Sequence, residues 1–517
     1  MSEDGLRASL AKMTQAGMGP EACEGFARQY HKLEKGATGL IPEASIAPLL
    51  DVPQFDATAP IDESAAREAM SHLVIIKLNG GLGTSMGLDG PKSLLPVHSG
   101  RSFLDLIVAQ VLAARRRWGV ELPLLLMNSF GTQDATAQVL ARYPELPVRG
   151  MPSWFVQSRE PKLRADDLTP VSWPADPTLE WCPPGHGDVY DALADSGLLD
   201  ELIEAGFWYA FVSNADNLGA SPHAGLASWF VASGAPYAAE ICRRTANDTK
   251  GGHLAIRRAD GRLILRDTAQ TPPDELDYFT DQHRHPFFHS NNLWWDLRVV
   301  RRELADGSLD LPIIRNAKTV DPTDPASTPV IQIETAMGTA IEAFAGAQAI
   351  AVPRDRLVPV KKTNELLLLR SDLYEISQEG ELRAQVAVLP RVELGDCYQF
   401  VSDFDARIPA APSLREASSL VVDGDWTFGR DVHVKGDVLL PDDGGTHRVP
   451  DGALLDGAML GHTRPESLAQ AAALVRQILA AVEPHRNAAV LRRPGGALDA
   501  EDRRLIADLP PHHGRVG

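Results

Sequence analysis

The chain has 517 residues, 44% apolar and 23% charged, which is the composition of a globular protein and enough length for several domains. Its 69 acidic and 50 basic side chains give a formal charge of -19, which excludes broad non-specific adhesion to nucleic acid or anionic membranes. The same field repels polyanions, so a phosphate-bearing ligand would need cations gathered at one place.

The opening residues MSEDGLR are acidic and lack an apolar stretch, and no apolar run reaches the roughly 18 residues of a membrane span. Cys23, Cys182, Cys242 and Cys397 show no paired spacing, so reduced thiols are expected rather than a disulfide framework or a zinc site. A cytoplasmic protein is the expectation.

In chain order, residues 4–35 predict two short helices broken around Gly17–Pro20, with Leu6, Leu10 and Met13, then Cys23, Phe26 and Tyr30, at helical spacing. From about 72 to 370, apolar strands alternate with amphipathic helices. The predicted strands are HLVIIKL, PLLLMNS, YAFVSN and YAAEIC; the predicted helices include SFLDLIVAQVLAARRRWG, with Ser102 as N-cap. This alternation predicts βαβ units and a mainly parallel sheet, whose ligands sit beyond the carboxyl ends of the strands. From 385 to 460, short β-branched pieces separated by Gly and Asp turns predict a small β domain. Residues 463–483 predict a helix with a Thr463–Glu466 capping box, an apolar stripe of Leu468, Ala471, Val475, Ile478 and Val482, and Pro484 as its stop. That stripe must bury, against this chain's own β domain or against the same helix of a second subunit. The expected division is 1–70, 71–375, 376–462 and 463–517.

The most informative segment is KLNGGLGTSMGLDGPKS, residues 77–93, directly after the first strand. Gly80, Gly81, Gly83 and Gly87 let backbone amides approach a ligand, as in loops that cradle phosphate, and Lys92 adds a point charge. It is not a dinucleotide fingerprint, because Met86 stands where the third glycine belongs. Nor is it a P-loop, because Pro91 precedes the lysine.

The string LNGGLGTSMGLDGPKS closely resembles the nucleotide-binding signature of the eukaryotic-type UTP–glucose-1-phosphate uridylyltransferases. LMNSF, FVQSR, PPGHGD, SNADNLG, HSNNLW, NAKT, IQIETAMG and VPVKKTNELLLLRSDLY match in the same order. The resemblance implies an α/β glycosyltransferase-A-like, Rossmann-like nucleotidyltransferase domain with a C-terminal left-handed β-helix. It implies UTP and glucose-1-phosphate as substrates, UDP-glucose and pyrophosphate as products, and Mg²⁺ as cofactor.

The resemblance assigns Lys92 and Lys361 to the triphosphate and the transferred phosphate, with Pro359-Val360 selecting Lys361 over Lys362. It gives Asp216 to the metal and Gln157 to the uracil, with Leu78, Asn79, Gly80, Gly81 and Gly185 around the nucleotide. His186, Asn214, Asn291 and Glu334 fall to the sugar phosphate, Asn291 having a chemically identical neighbour in Asn292. The nucleophile would be a phosphate already largely ionised near neutral pH, with a second pKa of about 6. Catalysis would then rest on positioning and cationic stabilisation rather than on a general base. The nearest rival within the fold, a UDP-N-acetylhexosamine pyrophosphorylase, carries a Gly-Gly-Gln-Gly-Thr-Arg loop where this chain has Gly-Gly-Leu-Gly-Thr-Ser. A non-catalytic nucleotide-sugar sensor would be expected to lose Lys92, Lys361 or Asp216, and all three are present.

Overall fold

The run LVIIKLN is buried continuously from Leu73 to Lys77, as expected of a strand covered on both faces. This strand, β1 (Leu73–Asn79), lies within a seven-stranded sheet in a computed structural model that describes residues 2–245, 248, 251–460 and 467–491. The other strands are β2 (Leu124–Asn128), β3 (Trp154–Val156), β4 (Tyr209–Asn214), β5 (Tyr237–Arg243), β6 (Phe287–Asp296) and β7 (Gln348–Ala351). Their spatial order is β7-β5-β6-β4-β1-β2-β3. β1 pairs in parallel with β2 and β4, β2 with β3, and β5 with β7.

All four strands expected from sequence belong to this sheet. Three strands were missed, the short β3 and β7 and the long β6, which runs antiparallel between β4 and β5. The centre of β6 reads Ser-Asn-Asn, with Asn291 at φ 60°, and the pairing register of β5 shifts opposite it, between Glu240 and Ile241. A polar, kinked centre breaks the period-two pattern by which strands are read.

The N-terminal helices form as expected, α1 over Ser2–Gln15 and α2 over Pro20–Glu34. Met13, Phe26 and Tyr30 are buried against Leu163, Ile331 and Ile333 on the three-stranded sheet that contains Pro329–Glu334, and against Ile313 just before one of its strands. Full burial of each large side chain contributes about 1.5–3 kcal/mol. Helix α3 (Phe103–Trp118) starts at Ser102, whose Oγ accepts from Asp105 N–H while the Asp105 carboxylate accepts from Ser102 N–H at 2.8 Å. The helix stops at Gly119, which adopts φ 63°.

The chain divides into two compact units. The first comprises Met1–Gly83, Asp89–Pro359 and Ile376–Leu382; the second comprises Thr84–Leu88, Val360–Glu375 and Arg383–Gly517. Helix α4 (Thr363–Arg370) opens the second unit's main body. Beyond it, β8 (Arg391–Leu394), β9 (Ser413–Val422), β11 (His433–Leu440) and β13 (Leu454–Asp456) form one parallel ladder. A second parallel ladder joins β10 (Asp425–Phe428) to β12 (Thr446–Val449). Trp426, Phe428, Leu420, Val422, Leu440 and Leu455 fill the interior, and Trp426 Nε1 donates to the carbonyl of Pro441 at 3.0 Å.

Helix α5 spans Leu468–Leu491. Ala471, Val475, Ile478 and Val482 are buried as the stripe requires, with α5 packed on β13 and on the short helix Gly457–Leu460 of its own unit. The stripe therefore finds its cover within this chain. Leu468 departs from the expectation and stands 66% exposed. Pro484 does not end the helix, which continues to Leu491. An interior proline removes one hydrogen bond and crowds one carbonyl, at about 3 kcal/mol, which is a local penalty rather than a prohibition. The Thr463–Glu466 cap lies outside the described residues. Among the described residues, no helix is long and apolar enough to cross a membrane.

Candidate active site

Because β1 to β4 run in parallel, their carboxyl ends share one edge of the sheet, and the expected nucleotide residues emerge there. Leu78 and Asn79 end β1, Asn214 pairs with Leu78 at the end of β4, and Gln157 follows β3 directly. The Asn79 side chain is buried, its Nδ2 donating to Asn128 Oδ1 at 2.7 Å and to Thr136 Oγ1 at 3.0 Å, so its amide donor is committed inside. Gly80 lies against Gln157, and a Cβ there would sit 3.1 Å from Gln157 Oε1 and press on that amide. Lys92 N–H donates to the Gly81 carbonyl at 3.0 Å, which returns the loop to its start.

That closure brings Lys92 to the loop after β4. Its Nζ donates to Asp216 Oδ2 at 2.9 Å, with side chains 16% and 12% exposed. Asn214, two residues earlier, accepts from Asn291 Nδ2 at 3.0 Å. The neighbouring Asn292 is fully buried and bonded to Glu240, Asn217 and the Arg356 carbonyl. Of the two asparagines, Asn291 therefore holds the accessible position.

A second group forms where the Gly-His-Gly turn meets the end of Pro329–Glu334. Gly185 has φ 80°, and a Cβ on it would lie 2.4 Å from the Thr335 carbonyl oxygen and 3.2 Å from Glu334 Cβ. Thr335 N–H donates to the Pro184 carbonyl and Gly187 N–H to the Thr335 carbonyl, both at 2.9 Å. This lacing brings His186 and Glu334 together. His186 Nδ1 accepts from Met337 N–H at 2.9 Å, which places the proton of the neutral ring on Nε2. Lys361 belongs to the second unit, exposed on the turn into α4, where its N–H and that of Lys362 both face Glu365 Oε2.

The comparisons with known proteins decide the family. Residues 23–435 match the family model described as UTP–glucose-1-phosphate uridylyltransferase. The chain belongs to that family. A probable UTP–glucose-1-phosphate uridylyltransferase of Schizosaccharomyces pombe is 40% identical over 400 residues, 76% of this chain and 78% of its own length. The Hordeum vulgare enzyme is 37% identical over 462 residues, covering 88% and 95%. Among solved structures, a mutant of Leishmania major UDP-glucose pyrophosphorylase in complex with UDP-glucose aligns with a TM-score of 0.83 at 37% identity, over 89% of this chain and 99% of that one. A UDP-glucose phosphorylase from Trypanosoma brucei aligns with a TM-score of 0.79 at 39% identity, over 88% and 98%.

Sequence reading of this family member passed over several buried polar residues that the fold gathers beneath the site. Arg356 and Glu240 form a bidentate pair at 2.7 and 3.0 Å, both almost wholly buried, with Trp294 Nε1 also donating to Glu240 at 3.0 Å. Asn217 accepts from Val358 N–H at 2.9 Å and donates to the Arg356 carbonyl at 3.1 Å, tying the Asp216 loop to the segment that leads out of the first unit. Asp188 accepts from Ser158 N–H at 2.6 Å, and burial beside Asp191 raises its carboxyl well above the usual range. Lys77 is fully buried and desolvation lowers its ammonium to about 7. In sequence, each of these looks like an ordinary solvated charge or a turn residue.

Proposed function

We propose that the chain joins UTP and glucose-1-phosphate into UDP-glucose and pyrophosphate, by attack of the sugar-phosphate oxygen on the α-phosphorus of UTP. One observation carries the reading: in a member of this family, Lys92 and Asp216 meet at 2.9 Å beside the glycine loop, at the carboxyl edge of the parallel strands. In this reading Gly80, Gly81 and Lys92 hold the triphosphate, and Gln157 offers its amide to the uracil edge as donor and acceptor. His186, Asn214, Asn291 and Glu334 take the sugar phosphate, with His186 donating through Nε2. Lys361 supplies the second cation for charge building on the transferred and leaving phosphates, as oxyanion-type stabilisation demands.

A divalent ion, Mg²⁺, fits the donor set. Among the described residues no group of three His, Cys, Asp or Glu side chains is placed to hold a metal, so no all-protein cage exists. A single carboxylate suits Mg²⁺ that arrives on phosphates and keeps several waters. Asp216 would hold it, and when bound it would neutralise phosphate charge. We read the two parallel ladders of the second unit as the family's left-handed β-helix, supported by their wholly parallel pairing.

The experiment is release of pyrophosphate on mixing the purified protein with UTP and glucose-1-phosphate, and formation of UTP from UDP-glucose and pyrophosphate in reverse. No turnover in either direction would discard the reading; faster turnover with N-acetylglucosamine-1-phosphate would move it to the hexosamine branch.

A further inference from the structure

Lys77 is the unexpected residue of β1. Its side chain has no exposed surface, and its Nζ donates to Ser213 Oγ at 2.7 Å and to the Ala220 carbonyl at 2.6 Å. Those two acceptors bracket residues 214–219, the loop that carries Asp216. Lys77 thus joins the strand feeding the glycine loop to both ends of the loop feeding the carboxylate. Both of its bonded acceptors are neutral, and the ion pairing beneath the site is completed by Glu240 and Arg356 on their own.

A buried ammonium is costly for a fold to hold, and methionine would fill the same length without that cost. The loop has other clamps: Arg356 Nη1 donates to the Ser221 carbonyl at 2.8 Å, Asn217 bonds Asn292 and the Arg356 carbonyl, and Ala215 N–H donates to the Leu78 carbonyl at 3.0 Å. The hold on this loop therefore does not rest on Lys77 alone. What Lys77 adds is a fixed distance between the amides that would cradle phosphates and the carboxylate that would hold a divalent ion accompanying them. A metal–nucleotide complex must satisfy both at once, and small misplacements there are expensive.

We propose that Lys77 is a positioning residue for metal–nucleotide binding, setting Asp216 against the Gly80–Lys92 loop through Ser213 and Ala220. The proposal rests on the reading of Asp216 as the metal-binding carboxylate.

The test uses the full chain as Lys77→Met, Lys77→Gln, Ser213→Ala and Asp216→Asn. Mn²⁺ affinity in the presence of UTP is read by electron paramagnetic resonance, metal-free UTP affinity by calorimetry, and stability by melting. Lys77→Met is expected to weaken Mn²⁺ binding about tenfold or more while metal-free UTP affinity and the KM for glucose-1-phosphate stay within about twofold. Lys77→Gln, which keeps a donor for one acceptor, should fall between. Ser213→Ala, which keeps the ammonium but removes one anchor, should weaken Mn²⁺ binding by about threefold and serves if Lys77→Met fails to fold. Wild-type Mn²⁺ affinity in Lys77→Met, or in Ser213→Ala where Lys77→Met does not fold, would overturn the proposal. So would a uniform fall in every constant together with the melting temperature, which marks a structural role. Unchanged Mn²⁺ affinity in Asp216→Asn would instead remove the metal role of Asp216.

Discussion

Lys92 Nζ sits 2.9 Å from Asp216 Oδ2, so the cation assigned to the triphosphate and the carboxylate assigned to the metal neutralise each other in this structure. A metal arriving alone must displace the ammonium, and UTP arriving alone must take Lys92 away and face Asp216 with like charge. Arriving together, they share the cost of opening the pair. With side chains 16% and 12% exposed, that cost lies between the surface and buried limits, about 1–3 kcal/mol. Metal and UTP should therefore bind synergistically. Asp216→Asn should strengthen metal-free UTP binding by about fivefold or more while abolishing the gain from added metal. Calorimetric titration of UTP with and without Mg²⁺ measures both; identical metal-free affinity in the variant would remove the exchange.

Two glycines of the site should fail differently. A Cβ on Gly80 would meet the flexible end of Gln157 at 3.1 Å, so Gly80→Ala can be accommodated by moving the amide. The expected result is a KM for UTP raised by about threefold to tenfold with the melting temperature unchanged. Gly185 combines φ 80° with a clash at 2.4 Å against the Thr335 backbone oxygen, and no rotamer change relieves either. Gly185→Ala should lower the melting temperature and lose response to glucose-1-phosphate. The reverse pattern would mean that Gly80 is the structural glycine.

The site edge was legible because parallel strands and glycine loops leave strong local patterns: β1, β2, β4 and the SNADN turn were all readable. Glu334 and His186 could be named only through family likeness, since residues 148 positions apart in sequence are brought near each other by the bonds at Thr335, which no local pattern encodes. Lys77 was invisible for another reason. A lysine in an apolar strand carries no mark of its burial, and only the strand order, which places β4 beside β1, provides its acceptors. The exposed Leu468 and the uninterrupted Pro484 show the same limit from the other side, since packing rather than periodicity decides where a stripe ends.

Acid should destabilise the fold before ordinary carboxylate titration does. Burial lowers His223 to about 4, His289 to about 3 and His253 to about 2, so all three are neutral in the native state. An unfolded histidine titrates near 6.5, so below that pH the unfolded chain binds more protons than the folded one. Their contribution is complete above about 6.5 and is lost as pH falls toward the folded values, at about 1.4 kcal/mol per pH unit for each. His253 stacks on His285 with ring centroids 3.9 Å apart and lies beside Phe279. His253→Phe, which keeps an aromatic ring there, should flatten the dependence between pH 6.5 and 4.5. Denaturant unfolding across that range decides it; an unchanged slope would assign the acid sensitivity elsewhere.

The last prediction concerns α5, whose buried stripe rests on β13 and the short helix before it. Ile478 is 1% exposed and Leu468 is 66% exposed, although both belong to the same sequence stripe. If burial within this chain is what the stripe does, Ile478→Ala should cost about 2–5 kcal/mol through lost transfer energy and a residual cavity. Leu468→Ala should stay within about 0.5 kcal/mol, the range of surface substitutions. Both residues lie more than 100 positions in sequence from every residue assigned to the nucleotide. The folded fraction of Ile478→Ala should therefore bind UTP with unchanged affinity, read by calorimetry at a temperature below its melt. If Leu468→Ala proves as damaging as Ile478→Ala and also changes the mass in light scattering, then the exposed end of the stripe is covered by a second copy of the chain.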